Sequence, residues 1–193
     1  MWSMESTTKD QIVIGATGVK LLIESLVEQI RRHCGLCGQV AIVGIQRGGV
    51  PLACRLYDEL HQLPTLNNRL HLGSIDISIN RDDLESRDAI SVYPSEISFD
   101  IQGIEIILVD DVIESGRTTR AAIDSIMQLG RPKAIRLAAL IDRGNRQLPI
   151  QPDFIGKIMT PKDSQVVELR LSDEDPQNNA IVILDTHQKT NKA

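Results

Sequence analysis

Residues 104–119 read IEIILVDDVIESGRTT, and this stretch carries the clearest signal of the fold. Its first part, Ile104 to Val109, is almost uniformly apolar and β-branched, which is typical of a central parallel strand covered on both faces. A helix is expected from about Arg117, with Gly130 placed to end it. Its inward side chains are predicted to be Ala122, Ile123, Ile126 and Met127. The stretch therefore predicts a buried strand, a short polar loop and an amphipathic helix.

The same order of elements recurs on both sides of that stretch. Helices are predicted between Gly18 and Arg32 and from Val50 to Leu60, and further strands from Val40 to Ile45 and from Ala134 to Ile141. Strands that alternate with helices form a doubly wound parallel sheet, which binds its ligands beyond the carboxyl ends of the strands. The sequence therefore predicts a single α/β domain over residues 1–193 with a mainly parallel sheet.

The remaining regions have weaker patterns. Ile75, Ile77 and Ile79 alternate with polar residues, which predicts a strand with one solvated face near a sheet edge. Residues 84–100 are polar and mixed and have no sustained period, as in a long mobile loop that acts as a lid. Beyond Ile150, two strand-like runs at 166–171 and 181–184 are joined by a polar link.

Composition limits the possible functions. With 193 residues, 41% of them hydrophobic, the chain is long enough to bury one sizeable core. The net charge of −5 provides no strong basic field for nonspecific nucleic-acid binding. No apolar run reaches the roughly 18 to 20 residues of a membrane span, residues 1–10 lack an apolar signal core, and the cysteines number three, an odd count. We therefore expect a cytoplasmic protein without a membrane contact.

The polar loop after the buried strand has the features of an anion site. Asp110 and Asp111 follow the strand, and Ser115 to Thr119 open the next helix, where backbone N–H groups and the helix dipole favour a phosphate. Two carboxylates beside a phosphate suit a ligand that also carries sugar hydroxyls and shares a Mg²⁺ ion. An ordinary acidic turn with a serine N-cap is the alternative interpretation.

A second glycine-rich loop lies at the end of another predicted strand. Gln46-Arg47-Gly48-Gly49 follows the strand that ends at Ile45 and precedes a helix. Two glycines expose backbone N–H groups, and the forked donors of Arg47 suit a pyrophosphate. Taken alone, this segment is equally consistent with a plain glycine-rich turn.

Residues 109–119 resemble the motif by which type I phosphoribosyltransferases bind 5-phosphoribosyl-1-pyrophosphate (PRPP). The resemblance implies that Asp110 and Asp111 are catalytic, hold the ribose hydroxyls and share a Mg²⁺ cofactor directly or through water. It assigns the 5-phosphate to Glu114, Ser115, Gly116, Arg117, Thr118 and Thr119, and the diphosphate to Gln46, Arg47, Gly48 and Gly49. It also implies a small hood mainly at residues 145–180, a lid at about 84–100, and a homodimer or homotetramer.

Three further stretches resemble one subfamily, the PyrR-type uracil phosphoribosyltransferases. Residues 76–84 read DISINRDDL, residues 142–150 read DRGNRQLPI, and residues 152–157 read PDFIGK. The resemblance implies that Arg81 faces PRPP and that Phe154 and Ile155 bind the base, although Phe154 also suits a hydrophobic core. The implied reaction converts uracil and PRPP to UMP and diphosphate.

Two features of the sequence keep other functions open. Glu114 stands where purine phosphoribosyltransferases place an acid as a general base, and QPDF at residues 151–154 is similar to the KPDF of hypoxanthine-guanine enzymes. A purine substrate is therefore an alternative. The PyrR-type resemblance also implies UMP-responsive binding of an mRNA leader hairpin that attenuates pyrimidine operons, through Arg146 and Lys157. A catalytically weak nucleotide-sensing regulator is the second alternative.

Overall fold

The computed structural model describes residues 11–34, 38–77, 95–172 and 174–185. The strands are β1 (Gln11–Ile14), β2 (Val40–Ile45), β3 (Leu70–Ile75), β4 (Glu105–Ile113), β5 (Ala134–Asp142), β6 (Phe154–Ile158), β7 (Gln165–Arg170) and β8 (Ala180–Asp185). The α-helices are α1 (Ala16–Cys34), α2 (Gly49–His61) and α3 (Arg117–Leu129). Short 3-10 helices lie at Asn67–Arg69 and Pro176–Asn178. Within the described ranges, no helix combines the length and apolarity needed to cross a bilayer.

The main sheet has five strands in the order β3-β2-β4-β5-β6, and every neighbouring pair is parallel. Alternate residues of each strand point to opposite faces of the sheet, and both faces are covered by helices. Val40 and Ile42 of β2 pack with α1 and α2, whereas Ala41 and Val43 pack with α3. The predicted doubly wound parallel sheet is thus confirmed, and β4 lies at its centre as expected.

A second, antiparallel sheet has the order β1-β8-β7. It brings together the beginning and the end of the described chain, since Ile12 pairs with Val182. The expected hood at residues 145–180 contains β7 of this sheet. β6 also falls within that range and is the edge strand of the main sheet, and the small sheet includes β1, a strand that was not predicted from the sequence.

Two local predictions were wrong, the bounds of β3 and the direction of Met127. β3 covers Leu70–Ile75 rather than starting at Ile75, although its position at the sheet edge is as expected. The described end of the predicted lid loop is attached to β3, because Ser74 and Glu96 exchange two backbone hydrogen bonds of 3.0 and 2.9 Å. Met127 faces outward and is 51% exposed, since it lies one position past the buried Ile126. The rest of the predicted lid, residues 84–94, lies outside the described residues.

Candidate functional site

The two aspartates lie inside β4 rather than after it. β4 continues through Asp110 and Asp111 to Ile113, so both acids occupy the carboxyl-terminal half of the central strand. Asp110 is 5% exposed, and its Oδ1 accepts a hydrogen bond of 3.1 Å from the backbone N–H of Asp111. Burial raises the pKa of Asp111 above its usual range, opposed in part by hydrogen bonding to Asp110. Glu168 of β7, a strand that contacts β4, adds to the increase in this pKa.

The glycine-rich loop between β2 and α2 packs against these aspartates. A β-carbon at Gly48 would overlap the carboxylate of Asp111, and one at Gly49 would overlap the backbone carbonyl of Val109. Both positions therefore need glycine for close approach rather than for a positive φ. The peptide bond between Gln46 and Arg47 is cis. The predicted diphosphate loop and the predicted ribose-binding acids are thus in direct contact.

The loop that precedes α3 joins a strand to a helix as predicted, and the serine N-cap of the alternative interpretation is not formed. Gly116 has a left-handed backbone (φ 88°) and caps the helix, and Ser115 is not the N-cap. The Ser115 hydroxyl still accepts a hydrogen bond of 3.3 Å from the Arg117 N–H. The first-turn amides of α3 have no acceptor within their own helix, which suits an anion.

A cavity of about 670 Å³ opens beside this loop. It is lined by Glu114, Ser115, Arg117, Asn145, Gln147 and Asp163. Thr119 does not reach it through its side chain, because this residue is 1% exposed and its hydroxyl is buried without a hydrogen-bond partner. Thr119 could therefore bind a phosphate only through its backbone N–H. The side chain of Thr118 is half-buried and so remains partly accessible.

The predicted base-binding residues are already used by the protein. Phe154 is 7% exposed, belongs to the core beneath α1 and meets the ring of His33 edge-on with centroids 5.5 Å apart. The backbone carbonyl of Ile155 accepts a hydrogen bond of 3.0 Å from the Gln29 amide, and its N–H donates to Gln29 Oε1 at 3.3 Å. The core interpretation of Phe154 fits the structure, and the assignment of Phe154 and Ile155 to the base does not.

The two predicted RNA contacts differ in exposure. Lys157 is exposed on the edge strand β6. The Arg146 side chain is only 13% exposed and is hydrogen-bonded within the protein. The structure thus speaks against a direct RNA contact by Arg146.

Other predicted residues are placed as follows. Gln46 and Arg47 stand at the end of β2, where the Gln46 N–H donates to Ile75 O at 3.0 Å and Arg47 is exposed. Arg81 lies outside the described residues. Sequence reasoning missed two acids: Glu168, which adds to the increase in the pKa of Asp111, and Asp163, which lines the cavity. Only the alternation of β7, in which Val167 is buried, hinted at the direction of Glu168, and no local pattern marked Asp163.

Relatives of this sequence are found along most of its length. A family profile described as "Phosphoribosyl transferase domain" matches residues 15–186. A Listeria monocytogenes serotype 4b protein (strain CLIP80459) named "Bifunctional protein PyrR" is 38% identical over 180 residues, which is 91% of this chain and 97% of the relative. A protein of the same name from Synechococcus sp. (strain JA-2-3B'a(2-13)) is 41% identical over 162 residues, 84% of this chain and 88% of the relative.

Solved structures share the fold at much lower identity. A hypoxanthine-guanine phosphoribosyltransferase from Bacillus anthracis has a TM-score of 0.65 at 18% identity and covers 92% of this chain and 99% of its own. A hypoxanthine phosphoribosyl transferase from Trypanosoma cruzi has a TM-score of 0.69 at 14% identity, with coverage of 98% and 97%. At these identities the likeness concerns the fold alone.

Proposed function

Because this chain belongs to the phosphoribosyl transferase domain family, and within it to the group of the bifunctional PyrR proteins, we propose that it transfers phosphoribose from PRPP to uracil. The products are UMP and diphosphate. In the reaction, uracil N1 attacks C1′ with inversion, the bond from C1′ to the pyrophosphate oxygen breaks with its electrons going to diphosphate, and the N1 proton is released.

The observation that carries this proposal is the contact between two loops at the carboxyl edge of the sheet. Gly48 leaves just enough space for the Asp111 carboxylate, so a ligand bound to one loop also lies beside the other. PRPP needs such an arrangement, because its ribose hydroxyls and its diphosphate are joined through C1′. Asp110 and Asp111 hold the hydroxyls, and residues 46–49 hold the diphosphate with Arg81.

The same acids stabilise the transition state. As the bond at C1′ breaks, positive charge spreads over the ribose ring. A fixed carboxylate beside the ring stabilises this charge more in the transition state than in the ground state. No nucleophilic side chain is required, because the ring oxygen supplies electron density to C1′. Residues 114–119 hold the 5-phosphate and so fix the ring above the acids.

The residues present fit a Mg²⁺ ion. Burial raises the pKa of Asp111, and the other groups that influence it are carboxyl and backbone groups rather than cations. Within the described ranges, no cluster of three or more His, Cys, Asp or Glu side chains could hold a metal unaided. Asp110 and Asp111 would therefore hold Mg²⁺ together with oxygen atoms of PRPP and water, as this ion prefers. When bound, the ion neutralises charge on the leaving diphosphate.

The test is a panel of bases supplied with PRPP and Mg²⁺. We expect diphosphate release with uracil, and no more than background release with hypoxanthine or guanine. The purine alternative is favoured by one observation, the Glu114 carboxylate on the wall of the cavity. Release with a purine and not with uracil would therefore replace uracil by a purine and leave the transferase assignment intact.

A second candidate function is UMP-responsive RNA binding, which the word "bifunctional" in the names of the relatives supports. With a net charge of −5, such binding requires a local patch, and Lys157 offers an exposed cation for it. A gel-shift assay with pyrimidine-operon leader RNA, with and without UMP, tests this function. Absence of a UMP-dependent complex at moderate salt would remove it.

Light scattering tests the expected homodimer or homotetramer.

A further inference from the structure

Residues 142–150, which begin with the last residue of β5 and lead toward β6, pack on the predicted 5-phosphate loop, and we call this segment the brace. The backbone N–H groups of Gln147 and Leu148 both donate to the Ser115 carbonyl, at 3.0 and 3.2 Å. The Gln147 side-chain oxygen accepts a hydrogen bond of 2.8 Å from Arg117 Nε. The brace therefore fixes two residues of the loop before any ligand arrives.

Arg146 is the centre of the brace. Its Nη1 donates to the Glu114 carbonyl at 2.6 Å and to the Gly144 carbonyl at 3.1 Å. Its Nη2 donates to Asp142 Oδ2 at 2.8 Å, and its Nε donates to the Ile150 carbonyl at 2.8 Å. All three guanidinium nitrogens are thus bonded within the protein, three of the four acceptors being backbone carbonyls.

The backbone just before Arg146 turns its side chain back toward the loop. Gly144 and Asn145 both have left-handed conformations, with φ of 76° and 56°. Glycine and asparagine are the residues that tolerate this region best. The carboxylate of Asp142 supports the turn by accepting a hydrogen bond of 2.9 Å from the Gly144 N–H. After these two consecutive left-handed residues, the Arg146 guanidinium lies against the Glu114 carbonyl.

Peptide planarity converts these contacts into a direction for the loop amides. In a trans peptide the C=O of one residue and the N–H of the next are coplanar and point opposite ways. Arg146 holds the Glu114 carbonyl, so the Ser115 N–H points away from the brace. The amides of Gln147 and Leu148 hold the Ser115 carbonyl, so the Gly116 N–H also points away from the brace. These two N–H groups belong to the loop assigned to the 5-phosphate.

We propose that Arg146 is a positioning residue for the 5-phosphate site: it orients the amides of Ser115 and Gly116 through the Glu114 carbonyl. This inference rests on the proposed transferase function and assigns Arg146 a role inside the protein instead of an RNA contact. Lysine is not equivalent here, because its single ammonium group cannot reach four acceptors spread around a planar guanidinium.

The experiment compares Arg146→Lys with wild type in the full chain, using ribose 5-phosphate and Mg-diphosphate as separate calorimetric probes. We expect the Kd for ribose 5-phosphate and the KM for PRPP to rise about tenfold, while kcat and the Kd for diphosphate change less than about twofold. A general structural role would weaken both probes together, and that result would overturn the inference. Unchanged ribose 5-phosphate affinity with lost leader-RNA binding would overturn it in favour of RNA contact.

Two further variants make the result decisive. Arg31→Lys is the matched control, since Arg31 lies at the end of α1 and pairs with Glu28 at 2.6 Å, and we expect no change in either Kd. Asp142→Asn removes the charge from one of the four acceptors and serves if Arg146→Lys does not fold. We expect it to weaken ribose 5-phosphate about threefold, and unchanged affinity would contradict the inference. Wild-type protein that binds no ribose 5-phosphate or PRPP would instead overturn the proposed function.

Discussion

The central strand β4 begins with the buried acid Glu105 and carries the half-buried acid Asp111 toward its other end, and the environments of the two acids are opposite. Glu105 begins the strand, is 5% exposed and is bonded to His33 and, at 3.5 Å, to Arg136. At the other end, burial raises the pKa of Asp111, and the acid Glu168 raises this pKa further. The charge of Glu105 is thus compensated at the amino edge of the sheet, whereas ionisation of Asp111 at the carboxyl edge is unfavourable.

This difference separates stability from function on a single strand. A buried acid with a cationic neighbour such as Arg136 contributes to the folded state, whereas a desolvated acid whose neighbours are also acidic costs free energy until a ligand arrives. Arg136 extends the compensated end, because it also pairs with Asp153 at 3.2 Å, and Asp153 with Glu105 raises the pKa of Arg136. We expect substitutions at the two ends to have separable effects.

The largest expected effect is on catalysis at the carboxyl end. Asp110→Asn should lower kcat/KM by about a thousandfold, because it removes the charge that stabilises the ribose ring in the transition state. Glu105→Gln should change kcat/KM less than about twofold, measured below both melting temperatures, while lowering the free energy of unfolding by about 1–3 kcal/mol. Equal losses of activity in the two variants would break the distinction between the ends.

The next effect concerns the loop that covers the aspartates. Gly48→Ala should lower kcat/KM by about 10- to 100-fold with little change in stability, because the new methyl group displaces only the Asp111 carboxylate. Gly49→Ala should lower the free energy of unfolding by about 1–3 kcal/mol, because its methyl group meets the backbone carbonyl of Val109, which cannot move aside alone. Initial rates and urea unfolding of both variants measure the contrast, which identical behaviour would refute.

A smaller effect is expected at Phe154, beside the compensated end. Phe154→Leu should lower the free energy of unfolding by about 1 kcal/mol, because the ring that packs against His33 and the core is lost. The KM for uracil should change less than about twofold. Steady-state kinetics at saturating PRPP make this measurement, and a tenfold rise in that KM would restore a base-stacking role for Phe154.

The smallest effect is a pH dependence of stability. Because the folded-state pKa of Asp111 lies above its ordinary value of 3.8, the folded protein binds this proton more tightly than the unfolded chain does. Ligand-free wild type should therefore lose stability as the pH rises from 3.8 through the higher pKa of Asp111 in the folded protein, and Asp111→Asn should not. We expect the variant to have the higher urea midpoint at pH 7, with a difference that shrinks toward pH 3.8. A difference independent of pH would contradict the assignment.

The sequence predicted those parts of the fold that depend on local periodicity. Five of the elements around the site followed from apolar runs and helical spacing: β2, α2, β4, α3 and β5. The strand-loop-helix unit at residues 104–119 also placed the acids and the phosphate loop together, because parallel strands present their carboxyl ends at one edge. Resemblance to a known family then gave these residues their roles.

The errors came from contacts between residues far apart in the chain. An arginine in a polar loop is expected at the surface. The side chain of Arg146 instead folds inward after the left-handed turn at Gly144 and Asn145. The contact of Gly48 with Asp111 likewise joins two loops that no local pattern connects. Phe154 was ambiguous from the start, since an aromatic side chain suits a core as well as a stacking site, and the packing of α1 decided between them.

The pairing of β1 with β8 has a consequence for biosynthesis. β1 precedes all five strands of the main sheet along the chain, whereas its hydrogen-bonding partner β8 follows all of them. The five-stranded sheet needs no residue beyond Ile158 to complete its pairing, so it can assemble before β7 and β8 have left the ribosome. β1 must wait unpaired through that interval, and closure of the small sheet becomes a late event that ribosome-stalled chains of increasing length would reveal.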